Sequence, residues 1–278
     1  MNLFFYFGIL FFVISFISIK SYIIYSQKFN LIDASSDLNV HSGKIPTGGG
    51  IIFGIVFFLG LVSILIFKEY LNIDIELPKN FFVFVFSAVV FILISFYDDV
   101  KKIHPIFRLI VQIILIFFCT SLFYLDFLNI PLKPLMFLTI VFWVYTLNIT
   151  NFIDGADGFL TTNSINFFLS LFIFYFFYNN STFPFYICLI ILPILFAFII
   201  FNKPKAKIFM GDTGSIFIGF LIGFCSIETI LNGRWDIIFS LLIYNYMDCT
   251  ITLTKKVLKK NYPWARMFDY FFLLPIQK

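Results

Sequence analysis

Two adjacent carboxylates, Asp98 and Asp99, stand where a long apolar stretch ends. Adjacent carboxylates repel each other, so they need a nearby cation, either Lys102 one helical turn after Asp98 or a divalent metal. A solvated helix end is the alternative. Arg108 and Gln112 follow, one helical turn apart on one helix face. An arginine that enters an apolar segment beside an amide is typical of phosphate binding and equally of snorkelling to lipid headgroups, and the pair alone does not decide between them.

A second polar stretch runs from Asn148 to Gly158 and contains two Asp-Gly pairs. Such pairs form tight turns, in which backbone N–H groups become available to anions. The hard oxygen atoms of Asn151, Asp154 and Asp157 suit Mg²⁺ or the hydrogen-bond donors of a nucleotide. The stretch has no lysine or arginine to neutralise its acids. These features favour a ligand site over a plain turn.

In a third stretch, Gly211 and Gly214 bracket Asp212 just before an apolar run. Free N–H groups and the helix dipole favour phosphate at the start of a helix. Asp212 alone could be an N-cap, but the flanking glycines and hydroxyl groups favour a loop that binds phosphate and metal. The order of glycine and lysine does not match a P-loop.

A fourth stretch, from His41 to Gly50, ends in three consecutive glycines. Glycine allows the backbone to approach a ligand or another helix closely, so Gly49 is a candidate ligand contact. A loop that enters the next helix is an equal alternative. His41 and His104 are the only two histidines of the chain, which excludes a multi-histidine zinc site.

Transmembrane helices must position these residues, because the chain is too apolar for water. Of its 278 residues, 61% are hydrophobic and 12% are charged, whereas roughly 25% of the residues of a soluble domain are charged. Long apolar runs without the alternation of barrel strands predict an all-α polytopic membrane bundle. We expect one domain over 1–278 with about nine spanning helices, nine to ten, from runs at 3–25, 50–67, 80–97, 106–125, 134–149, 163–179, 183–201, 214–231 and 237–254.

The distribution of lysine and arginine predicts the orientation. With the N-terminus outside, 15 of the 19 basic residues lie on the cytoplasmic side, as the positive-inside rule requires. A basic rim that faces anionic lipid accounts for the net charge of +4 without a nucleic-acid partner. The cytoplasmic loops are then at about 26–49, 98–105, 148–162, 202–213 and 255–278, and the four polar stretches fall in or next to the first four of them. We therefore expect a multi-pass protein of the inner (plasma) membrane with its site on the cytoplasmic face.

The ordered set of motifs resembles the polyprenyl-phosphate N-acetylhexosamine-1-phosphate transferase family, of the bacterial glycosyltransferase family 4 type. This family includes the phospho-N-acetylmuramoyl-pentapeptide transferase. The resemblance covers the chain from about His41 to Asp248 and rests on the order of the four stretches in loops on one side. It implies the transfer of a sugar 1-phosphate, N-acetylhexosamine 1-phosphate above all, from a UDP-sugar to undecaprenyl phosphate, with release of UMP.

The resemblance also implies roles for individual residues. Asp98 and Asp99 would be catalytic, while Asp212 and Asn151 would bind Mg²⁺, with Mn²⁺ as the alternative ion. The expected substrate-binding residues are Lys102 and Arg108 on phosphate oxygens, Asn202, Asp154 and Asp157 in the nucleotide-sugar pocket, and Gly49, Gly211, Gly214 and Ser215. The implied partners are the UDP-sugar, undecaprenyl phosphate and the lipid bilayer, and a homodimer is expected by resemblance alone. Direct attack by the lipid phosphate and a covalent aspartyl intermediate both stay open.

The pathway expected from the resemblance is the initiation of a cell-envelope glycan, such as O-antigen or lipopolysaccharide. The alternative within the family is the peptidoglycan pentapeptide transferase. Family members often carry a histidine-rich signature in the last cytoplasmic loop, and the tail from Tyr262 to Phe272 has no histidine. By the resemblance, Arg266 and Asp269 keep part of that pattern. We rank the pentapeptide transferase lower because the tail lacks this histidine signature and the chain is short.

Two other classes of membrane protein fit these residues less well. A CDP-alcohol phosphotransferase needs further aspartates on the helix after its Asp-Gly pair, but none occurs between Asp157 and Asp212. A cation or carboxylate transporter is the non-enzyme alternative. Transporters place their charges near the membrane midplane, whereas these charges lie at the ends of the apolar runs.

Overall fold

The computed structural model describes residues 2–26, 32–33, 45–69, 75–123, 132–178, 181–260 and 271. These residues form nine helices and one antiparallel pair of two-residue strands, β1 (Ile32–Asp33) and β2 (Ile45–Pro46). The helices are α1 (Asn2–Ser26), α2 (Gly50–Phe67), α3 (Phe81–Lys101), α4 (Pro105–Phe123), α5 (Leu132–Ile153), α6 (Phe159–Tyr178), α7 (Phe183–Asn202), α8 (Gly211–Leu231) and α9 (Trp235–Leu258).

Most of these helices are suited to a membrane. Within the described ranges, eight are long and apolar enough to cross one, and the apolar part of α4, Pro105–Ser121, is shorter. The prediction of an all-α polytopic bundle is thus confirmed, and the chain is a multi-pass membrane protein. The location of its N-terminus and the single-domain organisation stay predictions.

Three helices continue through polar residues that the sequence analysis assigned to loops. The predicted runs end at 97 and 149 or begin at 214, whereas α3 and α5 end at Lys101 and Ile153 and α8 begins at Gly211. Asp98, Asp99, Asn151 and Asp212 therefore lie in helical turns. A hydropathy criterion ends a helix where polar side chains begin. Here those side chains bond to other helices, so the backbone stays helical.

The connections at this end of the bundle are consequently shorter than predicted. They comprise residues 102–104, 154–158 and 203–210, and α9 extends through Leu258. Pro105 begins α4, where a missing N–H costs no helical hydrogen bond. The motif residues from His41 to Lys44 and the tail residues from Tyr262 to Tyr270 lie outside the described residues.

Helix α8 lies at the centre of the bundle, and its residues from Thr213 to Ile227 are buried. Small residues let it approach α5 closely, as in many membrane helix pairs. A Cβ atom at Gly223 would overlap the ring of Trp143, and one at Gly219 would overlap Thr150. The Trp143 indole N–H donates to the carbonyl of Phe220 at 3.0 Å. These contacts fix α5 against α8.

Helices α2 and α8 cross backbone to backbone at their N-terminal ends. A Cβ atom at Gly50 would overlap the backbone of Gly214. The Gly50 N–H donates to the carbonyl of Met210 at 2.9 Å, and the Gly49 N–H donates to that of Phe209 at 3.1 Å. The sequence analysis left open whether the glycine run approaches a ligand or another helix. The structure shows that it contacts helix α8 and the loop before α8.

Replacing Gly50 by alanine should lower the unfolding midpoint of the detergent-purified protein, because the added methyl group meets the α8 backbone. Overpacking of this kind costs about 1–3 kcal/mol. Tryptophan fluorescence during heating measures the effect. Gly8→Ala is the matched control, since a Cβ atom at Gly8 has no atom within 4 Å. Equal midpoints for the two variants would contradict the α2–α8 contact.

Candidate active site

Polar residues from four helices meet at one end of the bundle. Asp98 and Asp99 lie in the last turn of α3, and Arg108 lies in the first turns of α4. Asn151 is near the end of α5, and Asp212 is the second residue of α8. Because these helices alternate in direction, the end of α3 and α5 is the beginning of α4 and α8.

A single guanidinium group joins two carboxylates of different helices. The Arg108 Nη1 atom donates to Asp98 Oδ2 at 2.6 Å and also to Asp212 Oδ2. The Asp98 side chain is only 3% exposed, whereas those of Arg108 and Asp212 are 25% and 27% exposed. A buried carboxylate is costly unless it is paired, so Arg108 stabilises the charge of Asp98.

Amide groups complete the contacts around Asp212. The Asn151 Nδ2 atom donates to Asp212 Oδ1 at 2.9 Å and to Ser215 Oγ at 3.0 Å. One turn earlier on α5, the Asn148 amide donates to Gln112 Oε1 of α4 at 2.8 Å. Asn151 and Asp212, the two residues predicted to bind metal, are therefore in direct contact.

Asp99 binds the N-terminus of α8. Its Oδ1 atom accepts the Asp212 N–H at 2.9 Å, and its Oδ2 atom accepts the Thr213 N–H at 3.1 Å and the Thr213 hydroxyl at 2.5 Å. The first N–H groups of a helix have no partner within it, so a carboxylate there acts as a cap. Asp99 caps α8 from another helix, and its predicted catalytic role stays a prediction.

Glycine is required where Asp99 meets α8. Gly211 has a φ angle of +72°, and a Cβ atom there would lie 2.6 Å from Asp99 Oδ2 and 2.9 Å from the Gly48 nitrogen. A side chain would be strained by the backbone and would displace the cap. Gly211, predicted to bind substrate, thus has a structural role beside the carboxylates.

Tyr22 of α1 was missed by the sequence analysis. Its hydroxyl donates to the carbonyl of Thr47 at 2.7 Å and lies 3.1 Å from the position of a Cβ atom on Gly48. It therefore holds the glycine stretch against α1. Tyr22 is one of 14 tyrosines and has no polar motif around it, so no pattern in the sequence predicts this contact.

The residues predicted to line the nucleotide-sugar pocket connect the neighbouring loops. Asp157 Oδ2 accepts the Ala206 N–H at 3.0 Å. Asn202 is buried: its amide donates to the carbonyl of Ile208 at 3.0 Å and accepts the Thr161 hydroxyl at 2.7 Å. These bonds hold residues 154–158 and 203–210 together. Both the nitrogen and the oxygen of the Asn202 side-chain amide thus form hydrogen bonds within the protein.

Asp154 is partly exposed next to the carboxylates described above. Desolvation by the surrounding protein atoms raises the pKa of its carboxyl well above the usual range, and the negative charges of Asp212, Asp99 and Asp157 raise this pKa further. The group therefore lies within electrostatic range of the site. A positively charged ligand or a hydrogen-bond donor would stabilise its ionised form.

Lys102 and Gly49, also predicted to bind substrate, make different contacts. The Lys102 side chain is exposed at the end of α3, and no carboxylate contact is found for it among the described residues. A Cβ atom on Gly49 would lie 2.7 Å from the side chain of Ile208. Lys102 is thus accessible to a ligand, whereas Gly49 packs against the loop before α8.

The donor atoms at this site fit a magnesium ion. Within the described ranges, no three histidine, cysteine or acidic side chains are arranged to hold a metal. Arg108 joins the carboxylates of Asp98 and Asp212, and Asp212 also contacts the Asn151 amide, whose carbonyl oxygen would face Asp212 after a half-turn. Mg²⁺ commonly binds one or two carboxylates together with water and substrate phosphate, so this smaller set suits it.

Sequence comparison finds known proteins that are similar to this chain. Residues 81–230 match the profile of glycosyl transferase family 4. The chain is 33% identical over 218 residues to the phospho-N-acetylmuramoyl-pentapeptide-transferase of Staphylococcus carnosus, covering 70% of this chain and 64% of the relative. The Sulfurimonas denitrificans protein of the same name is 30% identical over 226 residues, covering 67% of this chain and 61% of the relative.

The chain therefore belongs to glycosyl transferase family 4, which confirms the resemblance stated from the motifs. The matched segment contains Asp98, Arg108, Asn151 and Asp212, so the four helices that form the site lie within the family's shared region. The chain spans slightly less than two thirds of the length of these curated relatives.

Asp99→Ala should speed hydrogen exchange of the Asp212 and Thr213 amides, because both lose their acceptor. Asp99→Asn keeps one carbonyl oxygen and should have a smaller effect. Loss of a helix cap costs about 0.5–2 kcal/mol, so the alanine variant should also unfold at lower temperature. Exchange measured by mass spectrometry tests this, with the exposed Asp236→Ala as control. Unchanged exchange in Asp99→Ala would contradict the cap.

Proposed function

We propose that this protein transfers a sugar 1-phosphate from a UDP-sugar to undecaprenyl phosphate and releases UMP. The observation that carries the proposal is the meeting of Asp98, Arg108, Asn151 and Asp212, from four helices, at the end of a membrane bundle. Family membership supports the same class, since the relatives are named as transferases of a phospho-sugar pentapeptide.

Phosphoryl transfer requires mainly positioning and the neutralisation of oxygen charges. In the proposed site, Arg108 and Lys102 bind the diphosphate and lipid phosphate oxygens. Asp212, Asp98 and Asn151 would hold Mg²⁺, or Mn²⁺ in its place. When bound, the ion would neutralise part of the negative charge through which the two approaching phosphate groups repel each other. Asp154 and Asp157, on the adjoining turn, line the side from which the nucleotide enters.

In the proposed reaction, an oxygen of the lipid phosphate attacks the β-phosphorus of the UDP-sugar. A new phosphorus–oxygen bond forms, and the bond from that phosphorus to the bridging oxygen breaks. UMP leaves with the bridging oxygen, and the lipid carries the sugar diphosphate. Both oxygens of Asp99 accept bonds from α8, which argues against Asp99 as a covalent nucleophile. The two oxygens of Asp98 are likewise engaged, by the Ile103 N–H and the Arg108 guanidinium, so we propose direct attack by the lipid phosphate without an aspartyl intermediate.

A peptidoglycan pentapeptide transferase is the second candidate and has equal support from the comparisons, because the relatives carry that name. Both candidates use a UDP-linked N-acetylhexosamine and the same lipid, and they differ in the sugar substituent and the pathway. We propose initiation of a lipopolysaccharide or related glycan first, because the tail from Tyr262 to Phe272 lacks the histidine signature. A transporter is disfavoured by family membership.

The proposed location is the plasma membrane, with the site on the cytoplasmic face. The helix ends that form the site all lie on one side of the predicted membrane topology. In that topology, the same side carries 15 of the 19 lysines and arginines. This side is cytoplasmic under the positive-inside rule, and it is where a soluble UDP-sugar is available. The homodimer stays a prediction.

The test is release of UMP by purified protein in detergent with Mg²⁺, undecaprenyl phosphate and a panel of UDP-sugars. The panel comprises UDP-N-acetylglucosamine, UDP-N-acetylgalactosamine and UDP-N-acetylmuramoyl-pentapeptide. We expect UMP from one sugar and a rate at least about 100-fold lower in Asp212→Asn, as for loss of an oxyanion-stabilising contact.

Asp236→Asn, at the opposite end of the bundle, is the control and should keep the wild-type rate. Release of UMP from the pentapeptide substrate alone would select the second candidate. No UMP from any sugar, or full activity in Asp212→Asn, would refute the proposed transferase site.

A further inference from the structure

Arg108 lies between the same carboxylates that the proposed function assigns to a divalent cation. Its Nη1 atom contacts Oδ2 of Asp98 and Oδ2 of Asp212, while Asn151 contacts the other oxygen of Asp212. The guanidinium group therefore uses the carboxylate oxygen atoms that Ile103 and Asn151 do not contact. An ion bound by both carboxylates would have to share or replace these contacts.

The charges at this point explain why Arg108 is there. Asp98 is buried, and Asp212 lies beside it on another helix. Lys102 is exposed and makes no contact with either carboxylate in the described part of the chain. Arg108 is thus the cation in direct contact with both acids. A positive ion entering this space would be repelled by the guanidinium at short range.

Arg108 is also the partner that can move most easily. Asp98, at the end of α3, is held by the Ile103 N–H. Asp212, in the first turn of α8, is held by Asn151 of α5. The Arg108 side chain is 25% exposed and lies just after the short connection 102–104. Its long side chain can turn toward solvent without opening the buried core of the bundle.

We infer that Arg108 is an internal counter-ion that competes with a divalent cation for Asp98 and Asp212. It holds the two carboxylates together when the cation is absent and releases them when the cation binds. The released guanidinium group is then free for phosphate oxygens, a role that rests on the proposed function. The competition itself does not rest on it and can be measured without any substrate.

The experiment measures Mn²⁺ binding to the detergent-purified protein, without nucleotide or lipid, by electron paramagnetic resonance of the free ion. Arg108→Gln should bind Mn²⁺ more tightly than wild type, on the order of tenfold, because one repelling charge is removed. Lys101→Gln is the charge-matched control, since the Lys101 ammonium lies over the Tyr97 ring, 5.5 Å from its centre. Its affinity for Mn²⁺ should change little.

A second measurement uses the wild-type protein and does not depend on the folding of a variant. Phenylglyoxal modification of Arg108, followed by mass spectrometry, should accelerate when Mn²⁺ binds, because the side chain leaves its carboxylate partners. Arg234, bonded to the exposed Asp236 at 3.2 Å at the other end of the bundle, is the internal reference.

Three results would overturn the inference: no Mn²⁺ binding to wild type and Arg108→Gln, equal or weaker binding in a folded Arg108→Gln, or an Arg108 modification rate that Mn²⁺ leaves unchanged. Failure of UMP release with tighter Mn²⁺ binding in Arg108→Gln would refute only the proposed transferase activity. The two hypotheses are therefore distinguishable.

Discussion

The ionic contact of Arg108 with Asp98 and Asp212 is the interaction on which the arrangement of the site depends. A carboxylate at the end of an apolar helix is costly unless another group pairs with it. In this protein the pairing groups come from different helices, since α3, α4 and α8 each contribute one member. The same constraint places Asp99 on the N–H groups of α8. The polar groups that satisfy one another thus also align the helix ends.

Apolar packing decides how closely these ends can approach. Helix α8 contacts α2 through Gly50 and Gly214 and contacts α5 through Gly219 and Gly223, where a side chain would overlap the neighbouring helix. Without these contacts the first turn of α8 could not lie beside both α3 and α5. Close helix packing and the polar site are therefore parts of one arrangement, in which the buried helix carries Asp212 to its partners.

The sequence predicted the fold class and four residues that the structure brings together, Asp98, Arg108, Asn151 and Asp212. It did not predict that Asp99 caps α8, that the Asn202 amide bonds to Thr161 of α6 and to Ile208 of the loop before α8, or that Tyr22 contributes. These contacts join residues far apart in the chain: Asp99 and Thr213 are 114 positions apart. Hydropathy and motif patterns describe one segment at a time, so they show which side chains are polar but not which partner each one finds.

The most direct test of the site is an electron cryo-microscopy structure of the protein in lipid nanodiscs with Mn²⁺. The predicted result is one ion bound between Asp98 and Asp212, with the Asn151 side chain beside it and Asp99 on the first turn of α8. An ion bound elsewhere, or these four residues divided between the two ends of the bundle, would contradict the convergence of the helices on a single cation site.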